Sequence, residues 1–279
     1  MTVLEVLQST AGYFAKKKVE HPRLNIEHLL ADVLGKKRID LYLEFDRVLS
    51  GTELDLLRDK VRRRAEGEPL QHILGHWDFF GRTFKTDARA LVPRPETELL
   101  VEAVLAEMGS IQEGRLIDVG TGTGILAITF ALQKPGLTIC ATDVSESALA
   151  LARENAEQLG VLSRIKFFQS DLVDGLDGSF DWVVANLPYI PTAELMDLPL
   201  EVRSDPIVAL DGGPDGLIQI RKLIELIRGK LSSNSLIALE VGAGQSGAVR
   251  DILAQANYRD ICLRKDYQGI ERILIARYG

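Results

Sequence analysis

The chain is predicted to be an α/β protein, with a doubly wound, mainly parallel, seven-stranded sheet preceded by a small all-helical N-terminal domain and a β-hairpin linker. Three observations carry this. Beyond Gly109, short apolar runs of strand character alternate with longer segments of helical period. The early runs are continuously apolar, as strands are when both sheet faces are covered. The first ~70 residues show no strand pattern and carry two helix-start signatures. The expected boundaries are 1–74 for the helical domain, 75–92 for the linker and 93–279 for the α/β domain.

The elements follow in order. Thr2-x-x-Glu5 is a capping box ahead of the apolar stripe Val3, Val6 and Leu7. Asn25 is the expected cap of a helix through Ile26, Leu29, Leu30, Val33 and Leu34, closed by Gly35. Ser50-x-x-Glu53 is a second capping box, leading into Leu54, Leu57 and Val61. Arg62-Arg63-Arg64 reads as a solvated helix face rather than a contact patch. Trp77-Asp-Phe-Phe80, Gly81-Arg82 and Thr83-Phe-Lys-Thr86 read as a hairpin with a glycine turn. In Leu91-Val-Pro-Arg-Pro-Glu-Thr-Glu98, Pro95 suits the first turn of a helix running to Met108 and ending at Gly109. Strands are expected at 115–119, 138–143, 165–169, 181–186, 235–241, 259–264 and 272–276. Helices are expected at 124–133, 146–159, 215–230 and 245–256.

Composition narrows the function classes. The chain has 279 residues, 46% hydrophobic and 26% charged, as ordinary globular proteins do. No apolar run approaches the ~20 residues of a membrane span. The N-terminus has neither the basic start of a signal peptide nor the arginines of a transit peptide, so a cytoplasmic location is expected. Cys140 and Cys262 lie in apolar strand-like segments and read as buried thiols, not a disulfide. His72 and His76 are four apart, but Gly75 and Pro69 interrupt any helix there, and no metal site is expected. Residues 1–92 carry a net charge of +2 and residues 93–279 a net of −9. An α/β domain this acidic matches a nucleic-acid backbone poorly.

Asp118-Val-Gly120-Thr121-Gly122-Thr123-Gly124 falls where a strand hands over to a helix. Glycines let the backbone turn sharply and approach a ligand, and the helix start offers free N–H groups to an anionic carboxylate. The spacing is G-x-G-x-G rather than the dinucleotide G-x-G-x-x-G. The next strand ends at Asp143, placed to accept both hydroxyls of a ribose. Asp171-Leu172 follows the third strand, where an adenine edge falls in this layout. S-adenosylmethionine (SAM) and NAD share this logic, so the loop alone does not choose between them.

The choice comes from Asn186-Leu187-Pro188-Tyr189, at the end of the fourth strand. A planar amide or exocyclic amine nitrogen is a weak nucleophile, because its lone pair is delocalised. Two acceptors on its N–H groups orient it. Asn186 supplies a side-chain oxygen, and Leu187 supplies a backbone carbonyl held extended by the following proline. Tyr189 is expected to pack on the flat group. Transfer would be an in-line displacement at the SAM methyl, driven mainly by positioning.

These motifs, with Leu91-Val-Pro-Arg-Pro-Glu-Thr-Glu98, Asp143-Val-Ser and Ala209-Leu-Asp-Gly-Gly-Pro-Asp-Gly-Leu217, resemble the release-factor glutamine methyltransferases, the PrmC/HemK family. The resemblance covers essentially the whole chain. It implies a class I SAM-methyltransferase, Rossmann-like fold, and SAM as cofactor with S-adenosylhomocysteine as product. It also implies methylation of the side-chain amide nitrogen of the glutamine in the Gly-Gly-Gln motif of class 1 peptide chain release factors. By resemblance Gly120 to Gly124, Asp143, Leu172 and Asn186 contact SAM, Asn186 to Tyr189 hold the glutamine, and the helical domain recognises the protein substrate. One residue departs from the pattern: the family usually has Asn-Pro-Pro-Tyr, and here the second residue is Leu187.

Two other readings compete. Asn-Leu-Pro-Tyr also resembles the motif of adenine-N6 dimethyltransferases acting on ribosomal RNA. That reading predicts a basic groove and stacking aromatics; the acidic α/β domain and 6% aromatic content weigh against it, and no nucleic-acid substrate is expected. A non-catalytic SAM-binding scaffold predicts damage at the reactive corner, yet Asn186, Pro188 and Tyr189 are intact.

Overall fold

The computed structural model describes residues 1–279 as two compact units. One comprises Met1–His76 with Pro199–Ser204; the other comprises Trp77–Leu198 with Asp205–Gly279.

In the helical unit, α1 (Val3–Lys16) begins at the Thr2 capping box and buries Val3, Val6, Leu7 and Phe14. Helix α2 (Pro22–Val33) corrects the expectation for Asn25. Pro22 at the first helical position starts the helix earlier, because its missing N–H is one that the first turn leaves unused anyway. Asn25 therefore lies inside the first turn and is buried, donating to the carbonyls of Glu20 at 2.8 Å and His21 at 3.2 Å. Gly35, at φ +61°, follows the helix end. Helix α3 (Gly51–Ala65) starts at the Ser50/Glu53 capping box, and the short α4 (Leu70–Leu74) stops at Gly75.

The arginine run is not one solvated face. Arg62 lies exposed between Asp59 and Glu66. Arg64 is buried, donates to Asn25 Oδ1 at 2.6 Å and to the Glu68 carbonyl at 3.1 Å, and ion-pairs with Glu201. A buried guanidinium persists only when paired and hydrogen-bonded, which this one is.

The second unit opens with a two-stranded hairpin, β1 (His76–Phe79) and β2 (Arg82–Lys85), followed by α5 (Glu96–Met108). Strands and helices then alternate: β3 (Glu113–Val119), α6 (Ile125–Gln133), β4 (Gly136–Asp143), α7 (Glu146–Gln158), β5 (Ile165–Gln169) and β6 (Phe180–Ala185). After them come α8 (Ile218–Ile227), β7 (Leu231–Glu240), α9 (Ser246–Gln255), β8 (Tyr258–Lys265) and β9 (Glu271–Tyr278). Helix α8 is shorter than its expected span, because Gly216 at φ +75° turns the chain before Ile218.

The sheet has seven strands, as expected, in the order β5-β4-β3-β6-β7-β9-β8. The first five strands are parallel; β9 is antiparallel to both β7 and β8. Side chains alternate between two cores. Leu116, Ile139, Ala141, Trp182 and Val184 join α5, α6 and α7 on one face. Ile117, Val119, Cys140, Val183 and Ala185 join α8 and α9 on the other. This explains the continuous apolar runs, since neither side chain direction meets water. Cys140 is a buried free thiol, but Cys262 is exposed, against expectation. It sits on the edge strand β8 between Ile261 and Leu263, which pack against the core on one sheet face, so its own side chain points to the opposite, uncovered face.

Arg64→Ala leaves Asn25 Oδ1 and Glu201 without their shared donor. Stability of the helical unit is expected to fall by about 2–3 kcal/mol, seen as faster hydrogen exchange across α1 to α3 with protection of β3, β6 and β7 unchanged.

Candidate active site

Sheet register builds the site. Val119 of β3 pairs with Thr142 of β4 and Ala185 of β6, and Ala185 pairs with Leu239 of β7. One residue further, Asp143, Gly120, Asn186 and Glu240 stand in a row along the carboxyl ends of adjacent parallel strands. Neighbouring strands are ~4.8 Å apart, so side chains in this row meet. In doubly wound sheets ligands bind beyond these ends.

The glycine loop is fixed from beneath. Gly120 and Thr121 donate backbone N–H bonds to the Thr142 carbonyl at 2.9 and 2.8 Å. The buried Asp118 accepts from Thr121 Oγ1 at 2.6 Å and from the Ala127 N–H at 3.0 Å, clamping the loop to the start of α6. Burial pushes the Asp118 carboxyl up to about 7. Asp143 accepts from the Gly122 N–H through Oδ2 and from the Ser145 N–H through Oδ1, both at 2.9 Å. Burial raises its pKa, opposed by N–H groups of Ser145, Gly122 and Val144. Asn155 of α7 adds a tie to the hairpin: it donates to the carbonyls of Thr123 and Lys85 and accepts from the Lys85 N–H.

A cavity opens over this rim. It is lined by Gly120, Thr121, Gly122, Thr123, Asp143, Asp171, Leu172, Asn186, Leu187 and Pro188, so most residues singled out in the sequence meet there. Two do not line it. A side chain on Gly124 would come within 2.9 Å of Ile128 and 3.0 Å of Ala152, so this glycine serves the packing of α6 on α7. The Tyr189 ring lies toward Gly242, and its carbonyl accepts from Gln245 Nε2 at 2.8 Å. Burial, then the nearby Glu240, push the Tyr189 phenol up to about 12. Asp171 lines the cavity while its carboxylate pairs with Lys222 at the surface. Leu187 is buried, and its Cδ2 lies 3.0 Å from where a Gly120 side chain would begin.

Several lining residues carry no site role in the sequence reading, although Leu91 to Glu98 stand out there as a motif. Arg89 to Arg94 and Thr97 form a strap along the cavity. The buried Asp205 pins it, accepting from the Val92 N–H at 3.1 Å and from Arg94 at 2.8 Å. Glu240 is the other omission. Its signal was available: an acid ending an apolar strand, in Leu236-Ile-Ala-Leu-Glu240, as at Asp118 and Asp143.

The donor set fits SAM. A side chain on Gly122, at φ +56°, would meet nothing nearer than Ala90 Cβ at 3.9 Å, so the open face of the loop is backbone that a ligand can approach. The Asp143 carboxylate, with two N–H bonds already made, retains lone pairs for ribose hydroxyls. Fold and site define a class I, SAM-dependent methyltransferase.

Comparison with known proteins agrees. The family described as PrmC N-terminal domain matches residues 5–75, and that described as Methyltransferase small domain matches residues 95–197. A release factor glutamine methyltransferase from Moorella thermoacetica is 39% identical, over 99% of this chain and 98% of its own. One from Geobacter sulfurreducens is also 39% identical, over 100% of this chain and 97% of its own. The catalytic domain of hMettl16, solved with a 3′UTR hairpin, shares the fold at TM-score 0.61 and 19% identity, covering 79% of this chain and 81% of that one. The chain belongs to the release factor glutamine methyltransferase family. No helix is long and apolar enough to cross a membrane.

Asp143→Ala is expected to weaken SAM binding about 10- to 100-fold by calorimetry, through loss of charge-assisted hydrogen bonds. In the parent protein, affinity for SAM declines as pH falls through the raised Asp143 pKa, since only the carboxylate accepts from both hydroxyls.

Proposed function

We propose that this enzyme methylates the side-chain amide nitrogen of the glutamine in the Gly-Gly-Gln motif of class 1 peptide chain release factors. The observation that carries this is Asn186, held at the cavity rim beside Leu187 and Pro188, over the glycine loop. Asn186 Oδ1 and the Leu187 carbonyl accept from the two N–H bonds of the substrate amide, fixing its plane and aiming the nitrogen lone pair. SAM, when bound by Gly120 to Thr123, Asp143 and Leu172, supplies an electrophilic methyl on a sulfonium leaving group. As the N–C bond forms the methyl's bond to sulfur breaks, leaving the neutral thioether, and the substrate nitrogen releases one proton to water, so no strong base is required. Leu187 preserves the role of its position because that role uses only its backbone carbonyl.

The boundaries 1–74, 75–92 and 93–279 correspond, in this proposal, to substrate recognition, linker and methyl transfer. The helical unit offers Ile39 and Leu43 at 67% and 83% exposure on one short turn, apolar surface that suits a protein partner. Ile39→Ser with Leu43→Ser is expected to weaken release-factor binding at least about tenfold and leave SAM affinity unchanged. Equal affinity for the release factor in the double variant would remove this surface from recognition.

The central test is methyl transfer from labelled SAM to a class 1 release factor, with a Gly-Gly-Ala variant as control and structured RNA as a parallel substrate. Label on the protein that is lost in the control is the expected result, and Asn186→Ala should reduce it by about 100-fold or more. Label on RNA alone would transfer the assignment to adenine-N6 chemistry.

A further inference from the structure

Asn186 serves a substrate amide only with its oxygen turned toward the cavity. The same carboxamide rotated by a half-turn presents a donor there. Nothing in the strand end selects between these orientations. The selection comes from two side chains behind it.

Thr97, in the first turn of α5, is buried, and its hydroxyl donates to Glu240 Oε2 at 2.7 Å. A hydroxyl has one hydrogen, so toward Asn186 it only accepts, and it accepts from Nδ2 at 3.2 Å. The Glu240 carboxyl stands near enough to Asn186 for the amide to favour its charged form, and that ionised form has no hydrogen to give. The Asn186 amide nitrogen thus faces the Thr97 acceptor with the Glu240 carboxylate behind it, an environment that favours Oδ1 on the opposite side. Register makes the contact unavoidable, because Asn186 and Glu240 each lie one residue past the pair Ala185–Leu239.

We propose that Thr97 and Glu240 are positioning residues for methyl transfer, locking the Asn186 carboxamide with its oxygen toward the cavity before the substrate arrives. This rests on Asn186 being an acceptor for the glutamine amide. In this role both act through Asn186, although Thr97 also borders the cavity.

The lock depends on the charge of Glu240. Burial, and then Glu96, push its carboxyl up to about 7, while hydrogen bonds from Thr97 and Asn186 and the charge of Arg272 oppose the rise. The groups facing it are Glu96 and Thr97 from α5, Asn186 and Tyr189 after β6, and Arg272 from β9. Below about pH 7 a protonated Glu240 donates, the Thr97 hydroxyl is released to donate in turn, and Asn186 no longer has a single favoured orientation. Turnover therefore falls as pH drops through this value and reaches a plateau above it.

The test compares wild type, Thr97→Val, Thr97→Ser and Glu240→Gln on a class 1 release factor. Thr97→Val and Glu240→Gln should lower kcat about 100-fold with KM for the release factor and Kd for SAM nearly unchanged, while Thr97→Ser retains most of the activity. The acid limb near pH 7 should be present in wild type and absent in Glu240→Gln. Independently of turnover, the Asn186 side-chain amide signals in an NMR spectrum should shift with a midpoint near 7 in wild type and stay constant in Glu240→Gln. Thr97→Val with wild-type kcat, or an Asn186 signal indifferent to pH in wild type, would overturn the proposal even if Glu240→Gln does not fold. A wild-type enzyme that labels no release factor would instead overturn the substrate assignment.

Discussion

Parallel strands that end at one height give this molecule its site. Because β4, β3, β6 and β7 are in register, the residue after each strand's last paired position stands beside its neighbours. Asp143, Gly120, Asn186 and Glu240 form one row although they are scattered over more than a hundred positions of the chain. The same strands carry the apolar layers that pack against α5, α6 and α7 on one face and α8 and α9 on the other. A slip of one residue would exchange those faces and break the row together. Core packing and catalytic geometry are therefore one constraint.

What was legible in the sequence was what local chemistry decides. Capping boxes at Thr2 and Ser50, apolar strands of continuous type, the glycine loop and the Asn186 turn each need only neighbouring residues to be understood. What escaped depends on distant partners. Arg64 is buried because Asn25 and Glu201 receive it, the latter 137 positions away. The strap from Arg89 is held by Asp205, 113 positions beyond Val92. Cys262 is apolar in context yet exposed, because on the edge strand β8 only the face carrying Ile261 and Leu263 is packed and Cys262 points to the other. Asn25 misled for a local reason: a proline three residues earlier is the stronger start signal.

Leu187 shows how a departure from a family pattern is absorbed. The position has two surfaces. Its carbonyl precedes Pro188 and keeps the extended backbone that proline imposes on the residue before it. Its side chain is buried and packs over Gly120. The rigidity lost with a proline is offset by packing, and packing ties the reactive turn to the glycine loop.

The two buried acids at this rim also bear on the folding equilibrium. Asp118 and Glu240 have ordinary values of 3.8 and 4.5, and in the folded chain both stand at about 7. Since the folded values are the higher ones, these two groups take up protons on folding between roughly pH 4 and 7, and their own contribution to stability declines as pH rises through that window. The ionised Glu240 that orients Asn186 is thus the form that burial disfavours. The enzyme is held ready for methyl transfer at the pH where its own rim weighs most against the fold, a local form of the opposition between activity and stability.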